Sequence, residues 1–224
     1  MKNLLMAAAI ASLAGAASAD VYMDSTGDLA GTFAGFDHMD IASVEITNDA
    51  TWLYIDISVV AMSADWGKYL VAMDVAGAGD GTGGWTRNID WGTADYFIGS
   101  WADSGTGGEL HAYAAGWSMV DATWAAGTEI QTSGADHGIG VHHIAVTLAS
   151  LGLSVGDTFG FDVASTGEND PNGGVDHLSI AGESTPGWDD GSVAGQFLTY
   201  TVVPAPSSLA LVGLGGLLAG RRRR

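Results

Sequence analysis

The chain has 224 residues and no cysteine, so disulfide bonds, thiolate metal ligands and cysteine nucleophiles are excluded. Its formal net charge is −19. Residues 20–202 are more acidic still, because Lys68 and Arg87 are their two basic side chains against 26 acidic ones, a formal charge of −24. Such a surface repels nucleic acid and anionic lipid headgroups and attracts divalent cations, although acidity also serves solubility alone.

Residues 1–19 have the pattern of a secretory signal peptide. Lys2 precedes an apolar run over residues 4–15, and Ala17-Ser18-Ala19 supplies a small-x-small cleavage site. We therefore expect export and cleavage by signal peptidase, which would leave Asp20 as the first mature residue.

Apolar and polar side chains alternate along the body, which predicts β-strands. Val44 and Ile46 precede a turn at residues 48–50, and Leu53, Ile55 and Ile57 then line one face of the next segment. This pair predicts a hairpin with one buried face. Further strands are predicted at residues 69–75, 95–101, 109–114, 143–148, 158–164 and 196–202, with a short helical turn at 149–151.

Glycine-rich spacers separate the predicted strands, and no long segment has helical periodicity. Many short strands joined by Gly/Asp turns predict an all-β fold, a single antiparallel β-sandwich of the jelly-roll kind over residues 20–202.

Residues 203–224 form a separate C-terminal segment. Pro204 and Pro206 prevent a strand from continuing, and about twelve apolar residues then precede the basic end, Arg221, Arg222, Arg223 and Arg224. As a helix this run covers about 18 Å, against about 30 Å for a hydrocarbon core, so we expect transient membrane contact with the arginines on the cytoplasmic side.

The order of proline motif, apolar run and arginine cluster resembles the PEP-CTERM sorting signal, with Ala205 where that family usually has glutamate. The resemblance implies processing by an exosortase-type enzyme and a location at the cell envelope, cell surface or extracellular matrix. It also implies an association with exopolysaccharide and biofilm.

The body shows a second resemblance, carried by residues 24–28, 40–49, 52–57 and 148–158. These segments resemble the sandwich domains grouped around family 9 carbohydrate-binding modules and DOMON-like domains. That resemblance implies a β-sandwich and, in some members, sugar or haem binding. It assigns no binding residue in this chain.

Calcium is the cofactor that the acidic loops favour, since it takes six to eight oxygen ligands. The candidate ligands are Asp24, Asp28, Asp40, Asp80, Asp170, Asn172 and Asp176. None has EF-hand spacing, and Asp-Gly and Asn-Gly pairs are also ordinary turn residues.

Tryptophans beside Gly or Asp are candidates for sugar stacking, because the apolar face of a sugar packs on an aromatic ring. They are Trp66, Trp85, Trp91 and Trp188. The alternative is that these rings cover sheet edges and loop cores, as tryptophan often does.

The sequence contains no Gly-x-Ser-x-Gly and no His-Glu-x-x-His motif. His142 and His143 are adjacent, so on a strand they face opposite sides and cannot serve one site. We therefore expect an exported, non-enzymatic sandwich that acts in matrix assembly or glycan binding. The alternatives are a secreted glycan- or ester-hydrolysing enzyme and a purely structural matrix protein.

Overall fold

The computed structural model describes residues 19–64, 66–76, 79–82, 84–103, 106–133, 139–169 and 171–205. The predicted signal peptide, apart from Ala19, and the sorting segment beyond Ala205 lie outside the described residues. The fold is all-β, with two antiparallel sheets that pack face to face and do not close into a barrel. The predicted β-sandwich is therefore confirmed.

The strands of the described residues, in chain order, are β1 (Asp20–Met23), β2 (Ile41–Asn48), β3 (Trp52–Val59), β4 (Lys68–Asp74), β5 (Asp80–Thr82), β6 (Asp90–Ala94), β7 (Tyr96–Trp101), β8 (Gly107–Tyr113), β9 (Trp117–Ala122), β10 (Ile130–Ser133), β11 (Val141–Thr147), β12 (Thr158–Thr166), β13 (Asp176–His177) and β14 (Leu198–Thr201). Short 3-10 turns occur at Gly31–Phe33 and Gly84–Thr86. No helix among the described residues is long and apolar enough to cross a membrane.

The first sheet has the strand order β1-β2-β3-β11-β10. The second has the order β13-β12-β4-β7-β8-β9, and β14 also pairs with β12. A separate ribbon, β5–β6, lies between β4 and β7 in the chain. The predicted strands all occur, with ends shifted by at most three residues. Residues 149–151 form a hydrogen-bonded turn.

The β2–β3 hairpin has the predicted buried face. Leu53, Ile55 and Ile57 are fully buried. The turn between the strands is closed by Asp49, whose Oδ1 accepts the backbone N–H of Thr51 and of Trp52 at 2.7 Å each. This side-chain cap explains why the turn falls where the Asn-Asp pair predicted it.

The main core lies between the two sheets and combines the apolar faces of both. Its second-sheet members come mainly from β4 and β12, including Val71, Phe161 and Val163. Full burial of one such side chain contributes roughly 1.5–3 kcal/mol to stability.

A second core covers the outer face of the second sheet. Leu70, Phe97 and Ala164 point to this face, and residues 84–94 fold over them with Ile89 and Trp91. Strand β4 is therefore buried on both faces, which explains its unbroken apolar run. Trp91 is 2% exposed, so it belongs to this core and not to a set of rings available for sugar stacking.

Candidate functional site

A groove of about 650 Å³ opens beside the end of the second sheet. Its walls come from residue 66, which precedes β4, and from the loops that follow β12. The lining residues are Trp66, Gly167, Glu168, Asn169, Asn172, Trp188 and Asp189. Two of the four predicted sugar-stacking tryptophans thus come together although 122 positions separate them.

Trp66 and Trp188 form the apolar wall of the groove. Their ring centroids are 5.9 Å apart and the ring planes meet at 50°. Phe36 packs behind both rings, edge-on to Trp66 at 5.5 Å and tilted to Trp188 at 5.9 Å. Both tryptophans remain partly exposed, so the pair presents aromatic surface to a ligand.

Polar groups form the rest of the groove wall. The buried Asn172 accepts the backbone N–H of Asn169 at 2.9 Å through Oδ1, and its Nδ2 donates to the backbone carbonyl of Trp188 at 3.3 Å. The carboxylate of Glu168 is half exposed and lies 3.6 Å from the Lys68 ammonium. The exposed carboxylate of Asp189 completes this wall.

Gly167 is required for the shape of the groove. A Cβ atom at this position would lie 2.6 Å from both the Asn172 Oδ1 and a ring carbon of Trp188. Only glycine allows the chain to pass between these two side chains.

This combination of groups suits a polyhydroxylated ligand. An apolar sugar face can pack on the tryptophan rings while hydroxyl groups bond to the carboxylates and to backbone groups of the loop. The groove is open, and its aromatic and polar lining suits ligand binding.

The two remaining tryptophan candidates lie elsewhere, in the segment that covers the second sheet. Trp85 donates its indole N–H to Glu109 at 2.7 Å, and its ring occupies the space above Gly99. Trp91 is buried, as described above. These two rings therefore cover the sheet, as the alternative to sugar stacking predicts, because the covering segment needs large apolar side chains to seal the outer core.

A cluster of carboxylates lies where the segment between β1 and β2 meets β13. Asp28, Asp40 and Asp176 each place one carboxylate oxygen so that the three oxygens lie within 4.8 Å of one another. Asp24 interacts electrostatically with the same group. Three of the seven predicted calcium ligands therefore meet at one location, and a fourth, Asp24, lies close enough to interact with them electrostatically.

Backbone N–H groups orient these carboxylates. Asp40 accepts from Gly27 at 2.8 Å, and Asp28 accepts from Gly182 at 2.7 Å. Asp176 uses both oxygens, accepting from Ile41 at 2.7 Å and from its neighbour His177 at 2.9 Å. Asp24 Oδ2, Asp28 Oδ1 and Asp40 Oδ1 are buried and have no hydrogen-bond partner among the residues that the structure describes.

Burial makes these carboxylates difficult to ionise. Desolvation, with repulsion from neighbouring aspartates, raises the pKa of Asp176 to about 8 and that of Asp24 to about 7. The pKa of Asp40 is raised for the same reasons. The raised pKa values favour the protonated carboxyl groups near neutral pH, and a bound cation would favour their ionised form instead.

The other predicted calcium ligands have different positions. The Asp80 side chain and Asp170 lie outside the described residues. Asn172 belongs to the groove, where its amide group bonds to Asn169 and to the Trp188 carbonyl.

A Ser-His-Asp arrangement with a partly exposed serine was not predicted from the sequence. His177 Nδ1 lies 2.8 Å from Asp162 Oδ2, and its Nε2 lies 3.2 Å from Ser192 Oγ. The backbone N–H groups of Ser192 and Val193 already donate to Asn88 and Ser184, so they do not form an oxyanion hole. The three residues follow one another at intervals of 15 positions and match no motif, so no local signal pointed to them.

The side chains of the adjacent His142 and His143 lie on opposite faces of β11, as predicted. His142 is buried, with Nε2 2.5 Å from Ser100 Oγ between the sheets, whereas His143 pairs with Asp56 at 2.8 Å on the outer face. They do not serve one site.

Comparison with known proteins does not assign this chain to a family. No protein-family model matches it, and no curated protein matches it at the threshold for a relative. The fold and the groove define its class as a β-sandwich with an open aromatic groove.

Proposed function

We propose that the protein is an exported, non-enzymatic β-sandwich that binds a glycan in the groove between Trp66 and Trp188. The observation that carries this proposal is the partly exposed tryptophan pair that lines one groove together with Glu168, Asn169, Asn172 and Asp189. Aromatic surface next to fixed polar groups is the composition of a small-molecule or sugar site.

The two ends of the sequence support a location outside the cytoplasm. Residues 1–19 resemble a signal peptide, and residues 203–224 resemble a PEP-CTERM segment. Signal peptidase and an exosortase-type enzyme are the proposed processing partners, with transient membrane contact through the C-terminal run. Exopolysaccharide at the cell surface or in the extracellular matrix is the proposed ligand, and a body charge of −24 favours neutral glycans over strongly anionic ones.

Affinity electrophoresis of the full chain against a panel of neutral and acidic polysaccharides tests the proposal. We expect retention on at least one neutral polysaccharide and its loss in Trp66→Ala and Trp188→Ala. Trp124→Ala is the matched control, since Trp124 is 64% exposed and does not line the groove. Retention on no polysaccharide, or equal loss in the Trp124 variant, would contradict the proposal.

The second candidate is a secreted ester hydrolase, and the Ser192–His177–Asp162 arrangement is the observation that favours it. Ser192 Oγ would attack the ester carbonyl and pass its proton to His177; the alcohol would leave, and water would release the acid. A fluorophosphonate probe distinguishes the two functions. Labelling that disappears in Ser192→Ala supports hydrolysis, and absence of labelling supports the non-enzymatic proposal.

A further inference from the structure

We propose that Asp24, Asp28, Asp40 and Asp176 form a calcium site that joins the segment between β1 and β2 to the second sheet. This site is distinct from the groove, and the inference does not depend on what the groove binds.

The donor atoms match calcium in type and spacing. All four side chains offer carboxylate oxygens, the hard ligands that Ca²⁺ prefers at about 2.3–2.6 Å. Two oxygens on one such ion lie at most about 5 Å apart, and the oxygens of Asp28, Asp40 and Asp176 lie within 4.8 Å of one another.

Unpartnered buried oxygens are the independent observation that points to a ligand. Asp40 is only 4% exposed, its Oδ2 accepts from Gly27, and its Oδ1 has no partner among the described residues. Asp24 and Asp28 each contribute one more buried oxygen of this kind. A buried carboxylate oxygen without a partner is costly, so the unpartnered oxygens of the clustered Asp28 and Asp40 and of the neighbouring Asp24 point to a bound positive group.

The protein's own cations are engaged elsewhere. Lys68 and Arg87 are the two Lys or Arg side chains of residues 20–202. Lys68 pairs with Asp103 at 2.7 Å and Glu168 at 3.6 Å, and Arg87 donates to the Glu168 carbonyl at 2.8 Å. His177, next in sequence to Asp176, directs its Nδ1 to Asp162. The charge of the cluster is therefore left for a cation from solution.

The backbone arrangement prepares the carboxylates for this role. The backbone N–H groups of Gly27, Gly182 and Ile41 donate to Asp40, Asp28 and Asp176 respectively, which fixes the three carboxylates. Such second interactions orient metal ligands before the ion arrives. The second oxygens of Asp28 and Asp40 have no hydrogen-bond partner among the described residues. A bound ion would hold residues 24–40 against β13 and the loop at Gly182.

Isothermal titration of the chelator-treated full chain with CaCl₂ and with MgCl₂ tests the site. We expect one Ca²⁺ per chain at the cluster, weaker Mg²⁺ binding, and a melting temperature that rises with calcium concentration. Asp40→Asn should weaken calcium binding by at least about tenfold. Glu45→Gln, which removes one charge from an exposed β2 position, should stay within about twofold.

Asp28→Asn provides a second test should the buried Asp40 variant fail to fold, because Asp28 is partly exposed and an asparagine oxygen can still accept from Gly182. Circular dichroism establishes that each variant is folded. Absence of calcium heat together with an unchanged melting temperature would overturn the proposal. So would equal weakening in Glu45→Gln and the cluster variants, or Mg²⁺ binding as tight as that of Ca²⁺.

Discussion

Phe33 packs edge-on against Trp188, with the ring centroids 4.8 Å apart and the planes at 87°. Phe33 belongs to the segment between Asp28 and Asp40, and it is fully buried. The same chain segment therefore carries the clustered carboxylates and supports one wall of the groove.

This shared segment predicts that calcium influences glycan binding without touching the glycan. Removal of calcium, or Asp40→Asn, should loosen residues 24–40, and with them the contacts of Phe33 and Phe36 to the tryptophans. We expect glycan affinity to fall several-fold, about 1 kcal/mol, although Trp66 and Trp188 are unchanged. Titration of the glycan with calcium and with chelator measures this, and equal affinities in the two conditions would contradict the coupling.

Gly167→Ala should damage the groove. The new Cβ would lie 2.6 Å from the Asn172 oxygen and from the Trp188 ring, so one of them must move. We expect a loss of stability of about 1–3 kcal/mol and a loss of ligand binding. Gly31→Ala is the matched control, because its Cβ would meet nothing within 4 Å. Urea denaturation compares the two variants, and equal midpoints would refute the prediction.

Asn48→Ala should destabilise the whole sandwich. The buried amide accepts from the Tyr200 hydroxyl at 2.8 Å and from the Val203 N–H at 3.0 Å, and its Nδ2 donates to the Val203 carbonyl at 2.9 Å. The substitution leaves buried groups unpaired at the end of β14, a cost of about 1–3 kcal/mol. Tyr200→Phe, which removes one of these bonds, should cost less. Equilibrium urea unfolding tests this order, and the reverse order would contradict it.

Asp121→Asn should show a pH-dependent loss of stability. Backbone N–H groups, foremost that of Glu129 and also those of Gly127 and Thr128, hold the pKa of Asp121 below its usual range. A lowered folded-state pKa contributes stability above the unfolded value of about 3.9, and that stability is lost as the pH falls through the folded value.

The difference in unfolding free energy between wild type and Asp121→Asn should therefore be largest near neutral pH and shrink below about pH 4. Denaturant titrations in chelator at neutral and acidic pH measure it. A difference that does not change with pH would show that the charge of Asp121 contributes nothing.

Local patterns sufficed to predict the strands because alternation is a property of neighbouring residues. Leu53, Ile55 and Ile57 alternate with polar residues, and the Asp49 turn needs only contacts within four positions, so the β2–β3 hairpin follows from the sequence. Ribbon β5–β6 and strands β1, β9, β10 and β13 were not predicted. In β9, for example, three consecutive residues are exposed and the two that follow are buried, so the strand lacks the alternation that predicts a strand.

The candidate sites also divide into features that the local sequence predicts and features that only the tertiary structure decides. The sequence by itself determined that oxygen ligands and tryptophans were abundant, that cysteine chemistry was excluded, and that the body folds as an all-β sandwich. Tertiary structure alone decided that Asp176 meets Asp28 and Asp40 and that Trp188 meets Trp66, while Trp91 is buried. The physical reason is that the Asp176 and Trp188 contacts join residues more than a hundred positions apart, and that Trp91 is buried because its segment folds over the second sheet. Both arrangements depend on how the sheets and their covering segments pack, and not on the order of neighbouring residues.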